Sequence, residues 1–311
     1  MKPVPDLRAV LHLRRIIATF KPDILHAHSS KAGAIARLAR LSSWRAPPVL
    51  YSPHALSIDL GRRYLAIERV LAHATRTFVA VSESEREDII RFGLASRSNV
   101  RVIPPTIDIS RFAPRDRSSA RRELGLGGNH IIAAIGRFVP QKDPLGFLRL
   151  LERVRRTRPD VSGLLIGDGE LSGAVLAEMR RAGLEGALAM PGWVADVRPY
   201  VAAADVIVST ARFESFGYAT AEALAMAIPV VATRVTGTVD VLGRKSEWMF
   251  PYGDWEAGAI LAGRLLDDPE LRARSGYAGR ERVSAQFERL LMTKSLERLY
   301  GEIMPVAHRT Q

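Results

Sequence analysis

The chain alternates short apolar runs with longer segments in which apolar and polar positions recur at helical spacing. Its apolar runs are PDILHAH, PPVLYSP and RTFVAVS, followed later by HIIAAIG, SGLLIGDG, ALAMPGW, DVIVST and PVVATRV. Between the later runs, residues 144–157 and 171–182 have the periodicity of amphipathic helices. Strands that alternate with helices predict an α/β fold, in which parallel sheets are covered by helices on both faces.

A change in composition divides the chain into two parts. Residues 113–130 (APRDRSSARRELGLGGNH) are rich in charge, Gly and Ser, and they include a segment long enough for a short helix. The chain has 311 residues, which is enough for two α/β domains with separate cores. We therefore predict two Rossmann-like domains, residues 1–120 and 121–283, and a C-terminal helix within 284–311 that crosses back to the first domain.

The composition is that of a soluble globular protein, with 47% apolar and 25% charged residues. No stretch approaches 18 consecutive apolar residues, and the opening MKPVPDLRAV lacks the apolar core of a secretory signal. The chain contains no cysteine, which excludes disulfides, zinc-thiolate sites, iron-sulfur clusters and cysteine nucleophiles. These features predict a cytoplasmic protein.

Positive charge is concentrated in the first two fifths of the chain. Residues 1–125 contain 22 Lys and Arg against 11 Asp and Glu, which accounts for nearly all of the net charge of +12. A basic surface of this kind can be merely solvated, or it can face nucleic acid, an anionic membrane or phosphorylated small molecules. The sequence has no helix-turn-helix, zinc-finger or RNA-recognition signature, so we expect no nucleic-acid partner.

Two strand ends carry residues suited to a nucleotide, since ligands of open α/β sheets bind beyond the carboxyl ends of the strands. HIIAAIG ends at Gly136 and is followed by Arg137 and Lys142, which could clamp phosphate oxygens or could be surface cations near a helix start. SGLLIGDG ends in Gly167 and Asp168, which could support a nucleotide or form a tight turn. Neither GxGxxG nor GxxxxGK[ST] occurs, which counts against dehydrogenase and ATPase functions.

The segment ARFESFGYATAEAL, residues 211–224, predicts a helix that begins near residues 215–217. Free backbone amides at a helix start form an anion site that suits a diphosphate. Glu214 could then accept hydrogen bonds from a polyol, and Glu222 from ribose hydroxyls; alternatively, the two are an acidic helix start and a solvated helix position. The amides of this predicted site belong to Ser215, Phe216, Gly217 and Tyr218.

Three histidines lie near strand ends in the first part of the chain. His26 and His28 share one face of a predicted strand without a nearby carboxylate, so we expect no metal site. His54 is placed to hydrogen-bond a substrate. His28 precedes a Ser-Ser-Lys helix start that includes Lys31 and is a candidate anion or polyol contact. No GxSxG elbow supports serine hydrolysis.

Together these stretches resemble the retaining nucleotide-sugar glycosyltransferases of the GT-B fold, group 1, family four. The resemblance covers nearly all of the chain. Its most specific element is Glu-x7-Glu, which Glu214 and Glu222 match. The matching stretches are, in order, HAHSSKAG, SPHAL, VAVSESER, GRFVPQKDP, LLIGDGE, MPGWVADV and ESFGYATAEALAMAIPVVATRVTG.

The resemblance implies a role for each matching residue. Arg137 and Lys142 would bind the diphosphate of a UDP- or GDP-sugar, and backbone donors around Gly217 would assist them. Glu214 would bind sugar hydroxyls, Glu222 the ribose, and His54 the sugar near the reacting carbon. The sequence has no Asp-x-Asp, which fits a transferase without metal or cofactor. Retention would proceed by front-face attack, with the leaving phosphate taking the proton of the acceptor.

The HSSKAG and SPHAL variants are similar to enzymes of bacterial capsule and exopolysaccharide assembly, which implies a glycan or polyprenyl-linked acceptor on the side of His28, Lys31 and His54. A basic first domain would suit an anionic membrane. The family's first domain opens with a Gly-rich loop and further strands ahead of PDILHAH, so the resemblance implies a shortened first domain here. Either the true start lies upstream of Met1, or this is a shortened protein of doubtful activity. The alternatives to an active transferase are a non-catalytic nucleotide-sugar-binding remnant and, third, a nucleotide-sugar epimerase.

Overall fold

The computed structural model describes residues 3–42, 46–54, 56 and 61–304. The chain forms two compact units: Met1–Pro105 together with Leu290–Gln311, and Thr106–Arg289. Each unit contains a parallel sheet, so the prediction of an α/β fold is confirmed.

The first unit is built around a four-stranded sheet with strand order β1-β2-β3-β4. β1 lies at one edge, where its residues pair with β2 from Leu25 with Val49 to His28 with Ser52. A short 3-10 helix, Arg97–Asn99, precedes the last strand. The elements in chain order are α1 Pro3–Phe20, β1 Leu25–His28, α2 Ser30–Leu41, β2 Val49–Ser52, α3 Arg62–Ala72, β3 Thr77–Ala80, α4 Glu83–Arg91 and β4 Val100–Val102.

The second unit is built around a six-stranded sheet with strand order β10-β9-β8-β5-β6-β7. The chain begins at β5, winds outward to β7, and returns to wind outward in the other direction from β8. This doubly wound order places the topological switch point between β5 and β8. The elements are α5 Arg117–Glu123, β5 His130–Ile135, α6 Pro144–Thr157, β6 Val161–Ile166, α7 Ser172–Arg181, β7 Leu188–Gly192, α8 Arg198–Ala203, β8 Val206–Ser209, α9 Tyr218–Ala225, β9 Val230–Thr233, α10 Thr238–Leu242, β10 Met249–Phe250, α11 Trp255–Asp267 and α12 Pro269–Gln286.

Both faces of the second sheet are buried. Ile131 and Leu164 belong to one apolar cluster, and their neighbours Ile132 and Leu165 belong to another on the opposite face. Because successive side chains of a strand point to opposite faces, a strand covered on both sides must be apolar throughout. This explains the unbroken apolar runs in the sequence.

The division between the units falls at residues 105/106 rather than at the predicted 120/121. Residues 106–120 belong to the second unit because Ile107, Phe112 and Ala120 pack in its core. The N–H of Ile107 also donates to the carbonyl of Phe287 at 2.9 Å. The charged, Gly-rich segment 113–130 therefore lies within the second unit and does not mark the junction.

The C-terminal helix begins later than residue 284. α12 runs to Gln286, Phe287 is buried, and a new helix, α13, spans Arg289–Ile303. Most of α13 belongs to the first unit, where Leu299 packs against Leu50 and Val79 of the sheet.

Each of the eight apolar runs contains a strand. The pattern did not predict β4 or β10, because strands of three and two residues are too short to show a periodicity. No helix in the part of the chain that the structure describes is both long and apolar enough to cross a membrane.

Candidate functional site

A crevice opens in the second unit between β5 and β8, beyond their carboxyl ends. Its volume is about 30 Å³. Parallel strands that diverge at a switch point leave a gap of this kind for a ligand. Its lining includes Gly136, Arg137, Lys142, Thr210, Glu214, Gly217 and Thr220.

The two predicted phosphate ligands differ in their surroundings. Lys142 Nζ forms an ion pair with Glu214 Oε1, and the Glu214 side chain is only 10% exposed. Arg137 is exposed at the rim and forms no ion pair with any carboxylate among the described residues. The structure therefore brings both residues to the crevice but leaves only Arg137 uncommitted.

The walls of the crevice are tied to each other. The N–H of Arg212 donates to the carbonyl of Gln141 at 2.8 Å, and Gln141 Nε2 donates to the carbonyl of Phe213 at 3.2 Å. Thr210 Oγ1 donates to the carbonyl of Asp143 at 2.8 Å. These bonds join the loop after β5 to the loop after β8, so the Lys142–Glu214 pair is held by both loops.

α9, whose first turn lines this crevice, begins at Tyr218, which is later than predicted. Gly217 has a φ of 96°, which lies outside the helical region, so the helix cannot include it. The first helical bond runs from the N–H of Ala221 to the carbonyl of Gly217 at 3.0 Å. The free amides are therefore those after Gly217, and the prediction was wrong in placing Ser215 and Phe216 within the helix start.

The side chain of Phe216 is a core residue, and the role predicted for its backbone amide stays a prediction. Its side chain is 1% exposed and packs edge-on against Phe287 at 4.9 Å. Sequence reasoning also missed the function of Gly237, where a Cβ would lie 2.6 Å from the backbone N of Phe216. Glycine at 237 therefore lets its loop pack against the backbone that precedes α9. The glycine at 237 was visible in the sequence, but the residue that it packs against, Phe216, is distant in sequence.

Glu222 lies on α9, one turn inside the helix, and burial raises its pKa to about 7. The nearby Arg111 opposes this rise in pKa by favouring the carboxylate. A carboxyl group that is half protonated near neutral pH can accept or donate hydrogen bonds, which suits contact with hydroxyl groups. Arg111 was not predicted, because it approaches Glu222 only in the folded unit.

Asp168 serves the turn after β6. Its Oδ1 accepts from the N–H of Gly169 at 2.7 Å and from Ser172 Oγ at 2.5 Å, and these bonds lower its pKa. Gly167 has a φ of 140°, and a Cβ there would lie 1.9 Å from the carbonyl oxygen of Gly136. Asp168 thus stabilises its own turn, and Gly167 lets the ends of β5 and β6 approach closely, which agrees with the tight-turn alternative.

The histidines of the first unit form a cluster. His28 Nδ1 lies 2.8 Å from His54 Nε2, and the rings of His26 and His28 are 4.2 Å apart. His26 is anchored by Tyr300 and Ser52. Burial lowers the pKa of His26 to about 4, and burial followed by the neighbouring His28 lowers the pKa of His54.

Lys31, predicted beside these histidines, forms an ion pair with Asp6 at 3.0 Å. Asp6 is buried, so Lys31 neutralises a charge within the first unit. This contact fixes α1 to the start of α2. It also means that the charge of Lys31, which the sequence assigned to a ligand, already has a partner within the protein.

Comparison with known proteins places most of the chain in one family. Residues 1–111 match Glycosyltransferase Family 4, and residues 129–268 match Glycosyl transferases group 1. The D-inositol 3-phosphate glycosyltransferase of Pseudarthrobacter chlorophenolicus is 30% identical over 89% of this chain and 72% of its own length.

A second relative acts on a lipid-linked acceptor. It is the UDP-Gal:alpha-D-GlcNAc-diphosphoundecaprenol alpha-1,3-galactosyltransferase of Escherichia coli, 27% identical over 88% of this chain and 73% of its own length.

Among solved structures, Anabaena HepE in complex with UDP superposes with a TM-score of 0.84. It is 20% identical, and the match covers 94% of this chain and 82% of that one; at this identity the match concerns the fold. The GT-B fold that the resemblance implied is thus confirmed, while the roles of individual residues stay predictions. The chain belongs to the group 1, family 4 glycosyltransferases and is a GT-B enzyme that transfers hexosyl groups.

Proposed function

We propose that this enzyme transfers a hexose from a UDP- or GDP-sugar to a glycan or polyprenyl-linked acceptor, with retention of anomeric configuration, in bacterial surface polysaccharide assembly. The observation that carries the proposal is the crevice at the β5/β8 switch point, where Arg137, Lys142 and the start of α9 converge. The E. coli relative uses UDP-galactose and a diphosphoundecaprenol acceptor, which supports this class of substrates.

Charge separation in the transition state accounts for the composition of the crevice. As the bond between the anomeric carbon and phosphate oxygen breaks, negative charge grows on the nucleoside diphosphate and positive charge on the sugar ring. Arg137 would fork onto the diphosphate oxygens, and the α9 amides would add aligned donors. These groups would stabilise the leaving group without a metal ion.

Lys142 and Glu214 can each exchange their mutual ion pair for a contact with the donor when the donor binds. When the diphosphate arrives, Lys142 can turn its charge to phosphate, and Glu214 then becomes free to accept hydrogen bonds from sugar hydroxyls. Glu222 would accept from the ribose. The exchange leaves no buried charge without a partner, which would otherwise be strongly unfavourable.

The transfer step balances without a protein nucleophile. The acceptor hydroxyl oxygen forms a bond to the anomeric carbon on the face from which the diphosphate departs, and a phosphate oxygen takes the hydroxyl proton. His54 would hydrogen-bond the sugar near the reacting carbon. Enzyme action on membrane-linked acceptors would place the protein in the cytoplasm at the inner membrane face, and the basic first part of the chain suits that surface.

Donor binding and sugar transfer should be measured separately. UDP and GDP binding are read by calorimetry, and transfer from radiolabelled UDP-hexoses to a polyprenyl-diphosphate glycan is read by scintillation, with and without a metal chelator. Proton coupling constants of the product sugar report its configuration. Binding without transfer or donor hydrolysis would favour the non-catalytic alternative, and donor isomerisation without acceptor would favour an epimerase.

Variants of the ion pair test the assignment of the site. Lys142→Ala and Glu214→Ala are each expected to lower transfer at least tenfold, about 1.4 kcal/mol of transition-state stabilisation. Lys245→Ala and Glu281→Ala, at exposed positions of the same unit, are the matched controls. Full transfer by either site variant would remove that residue from the site.

A further inference from the structure

A pocket lies in the first unit between β4 and α13. Its volume is about 400 Å³, which is within the range of about 300–1,000 Å³ that is usual for small-molecule sites. One side of the lining is formed by Arg101, Val102 and Ile103, and the other by one face of α13. None of these residues lines the crevice between β5 and β8, so the proposed transfer reaction does not use this pocket.

The floor of the pocket is apolar and already packed. Ile103 and Leu299 are buried, and both belong to the core cluster in which α13 meets Leu50 and Val79 of the sheet. Leu291 adds an apolar side chain that is 46% exposed. A ligand could therefore lay an apolar surface on a floor that the fold holds in place.

The rim of the pocket is cationic. Lys294 and Arg298 line it from α13, and because they are four positions apart, they lie on the same face of the helix. Both are exposed, and neither forms an ion pair with a carboxylate within residues 3–304, as far as the structure describes them. Arg101 adds a third cation from β4. Like charges one turn apart on a helix are unfavourable, so an anion between Lys294 and Arg298 would relieve their repulsion.

Among the described residues that line the pocket, Glu302 is the one carboxylate. It lies 3.9 Å from Arg101 and one turn beyond Arg298, about 6 Å along the helix axis. Its charge offsets that of Arg101, so the charges of Lys294 and Arg298 are left without compensation. Apolar walls concentrate such a field within a cleft, which favours an anion, while the oxygens of Glu302 are suited to accept hydrogen bonds from hydroxyl groups.

From these features we propose that the pocket binds a phosphorylated sugar or polyol. Its phosphate would lie between Lys294, which acts as a point charge, and Arg298, which can donate two parallel hydrogen bonds. The apolar face of the sugar ring would pack on the floor beside Leu291, and ring hydroxyls would donate to Glu302.

The pocket adjoins both segments of chain that connect the two units. The chain leaves the first unit after Pro105 and returns to it at Leu290, and the lining residues Ile103 and Leu291 lie within two positions of these points. A bound sugar phosphate would therefore join the two segments through the first unit. This site goes beyond the proposed function and does not rest on it, because its ligand is neither the donor nor the acceptor.

Calorimetry on the purified full chain tests the site, with glucose 6-phosphate, inorganic phosphate and glucose as separate probes and without donor or acceptor. We expect glucose 6-phosphate to bind, inorganic phosphate to bind at least about tenfold more weakly because it has no ring to bury, and glucose not to bind. Lys294→Gln/Arg298→Gln should weaken glucose 6-phosphate binding at least about tenfold, because two charge-assisted contacts are lost. Glu302→Ala should reduce the preference for glucose 6-phosphate over inorganic phosphate, because it removes a hydroxyl acceptor and a negative charge together.

Matched controls separate this pocket from net charge and from the crevice. Lys245→Gln/Arg274→Gln removes one lysine and one arginine from exposed positions of the second unit, and it should bind glucose 6-phosphate as the unmodified chain does. Saturating UDP and the Lys142→Ala variant should also leave this binding unchanged, and Lys294→Gln/Arg298→Gln should keep the affinity for UDP.

The proposal is overturned if glucose 6-phosphate does not bind, if inorganic phosphate binds equally well, if UDP displaces glucose 6-phosphate, or if Lys294→Gln/Arg298→Gln binds like its control. The substituted positions of the pocket are exposed, so circular dichroism and thermal melts of the ligand-free variants should match those of the unmodified chain. Failure of UDP binding or of sugar transfer would refute the proposed function and leave these results unchanged.

Discussion

Glu222, which we assign to donor binding, should lower the stability of the ligand-free protein, because its pKa is raised in the folded state. Its pKa rises from 4.5 to about 7, chiefly because of burial. Between these values the folded protein holds a proton that the unfolded chain has released, so stability falls as pH rises through this window. Above pH 7 the full loss is present, and below about pH 4.5 it vanishes. Glutamine at position 222 cannot ionise, so the Glu222→Gln variant should not show this loss of stability.

The size of the effect follows from the same pKa values. A rise from 4.5 to about 7 corresponds to about 3.4 kcal/mol at high pH. The carboxyl group is only partly buried, so solvent screening reduces this figure. We therefore expect Glu222→Gln to raise the free energy of unfolding by about 2 kcal/mol at pH 8, and to leave it nearly unchanged at pH 4.

Urea denaturation at a series of pH values, followed by circular dichroism, measures this difference. Glu281→Gln, at an exposed position of α12, is the control and should follow the unmodified protein at every pH. In parallel, Glu222→Gln should weaken UDP binding in calorimetry, because a neutral amide is a poorer acceptor for ribose hydroxyls. If Glu222→Gln is no more stable than the unmodified protein at pH 8, or if the pH dependence is the same in both, the reasoning from burial is refuted.

Two further predictions concern contacts that hold each unit together. The Asp205 side chain is 1% exposed and bonds to Arg117 and to Arg121, the latter at 2.6 Å; Asp205→Asn should lower the free energy of unfolding in urea by about 3 kcal/mol, and a loss below about 1 kcal/mol would show that the arginines are stabilised mainly by water. His28→Asn should raise the pKa of His54, because the neighbouring imidazole contributes to lowering it; NMR titration of the histidine ring signals checks this, and an unchanged His54 pKa would leave burial as the cause.

Much of the fold could be read from local patterns. α6 spans Pro144–Thr157, as its apolar periodicity predicted, and Gly136 and Lys142 were correctly placed beside a strand end. The start of α9 was placed too early, because the positive φ of Gly217 ends the loop at a point that helix propensity does not reveal. The boundary at residue 120 was wrong because composition reports solvation, whereas Ile107 and Phe112 show where the chain is buried.

The sequence by itself determined eight strands, among them the strands beside the crevice, and the order of the motifs that became the crevice, because strand and helix periodicity depends on neighbouring residues. Only the tertiary structure decided how the functional groups are charged and paired. Lys142 meets Glu214 across 72 positions, and His28 meets His54 across 26. Such contacts depend on which strands lie side by side. The proton on Glu222 likewise depends on burial, which belongs to the folded unit and not to any local stretch of sequence.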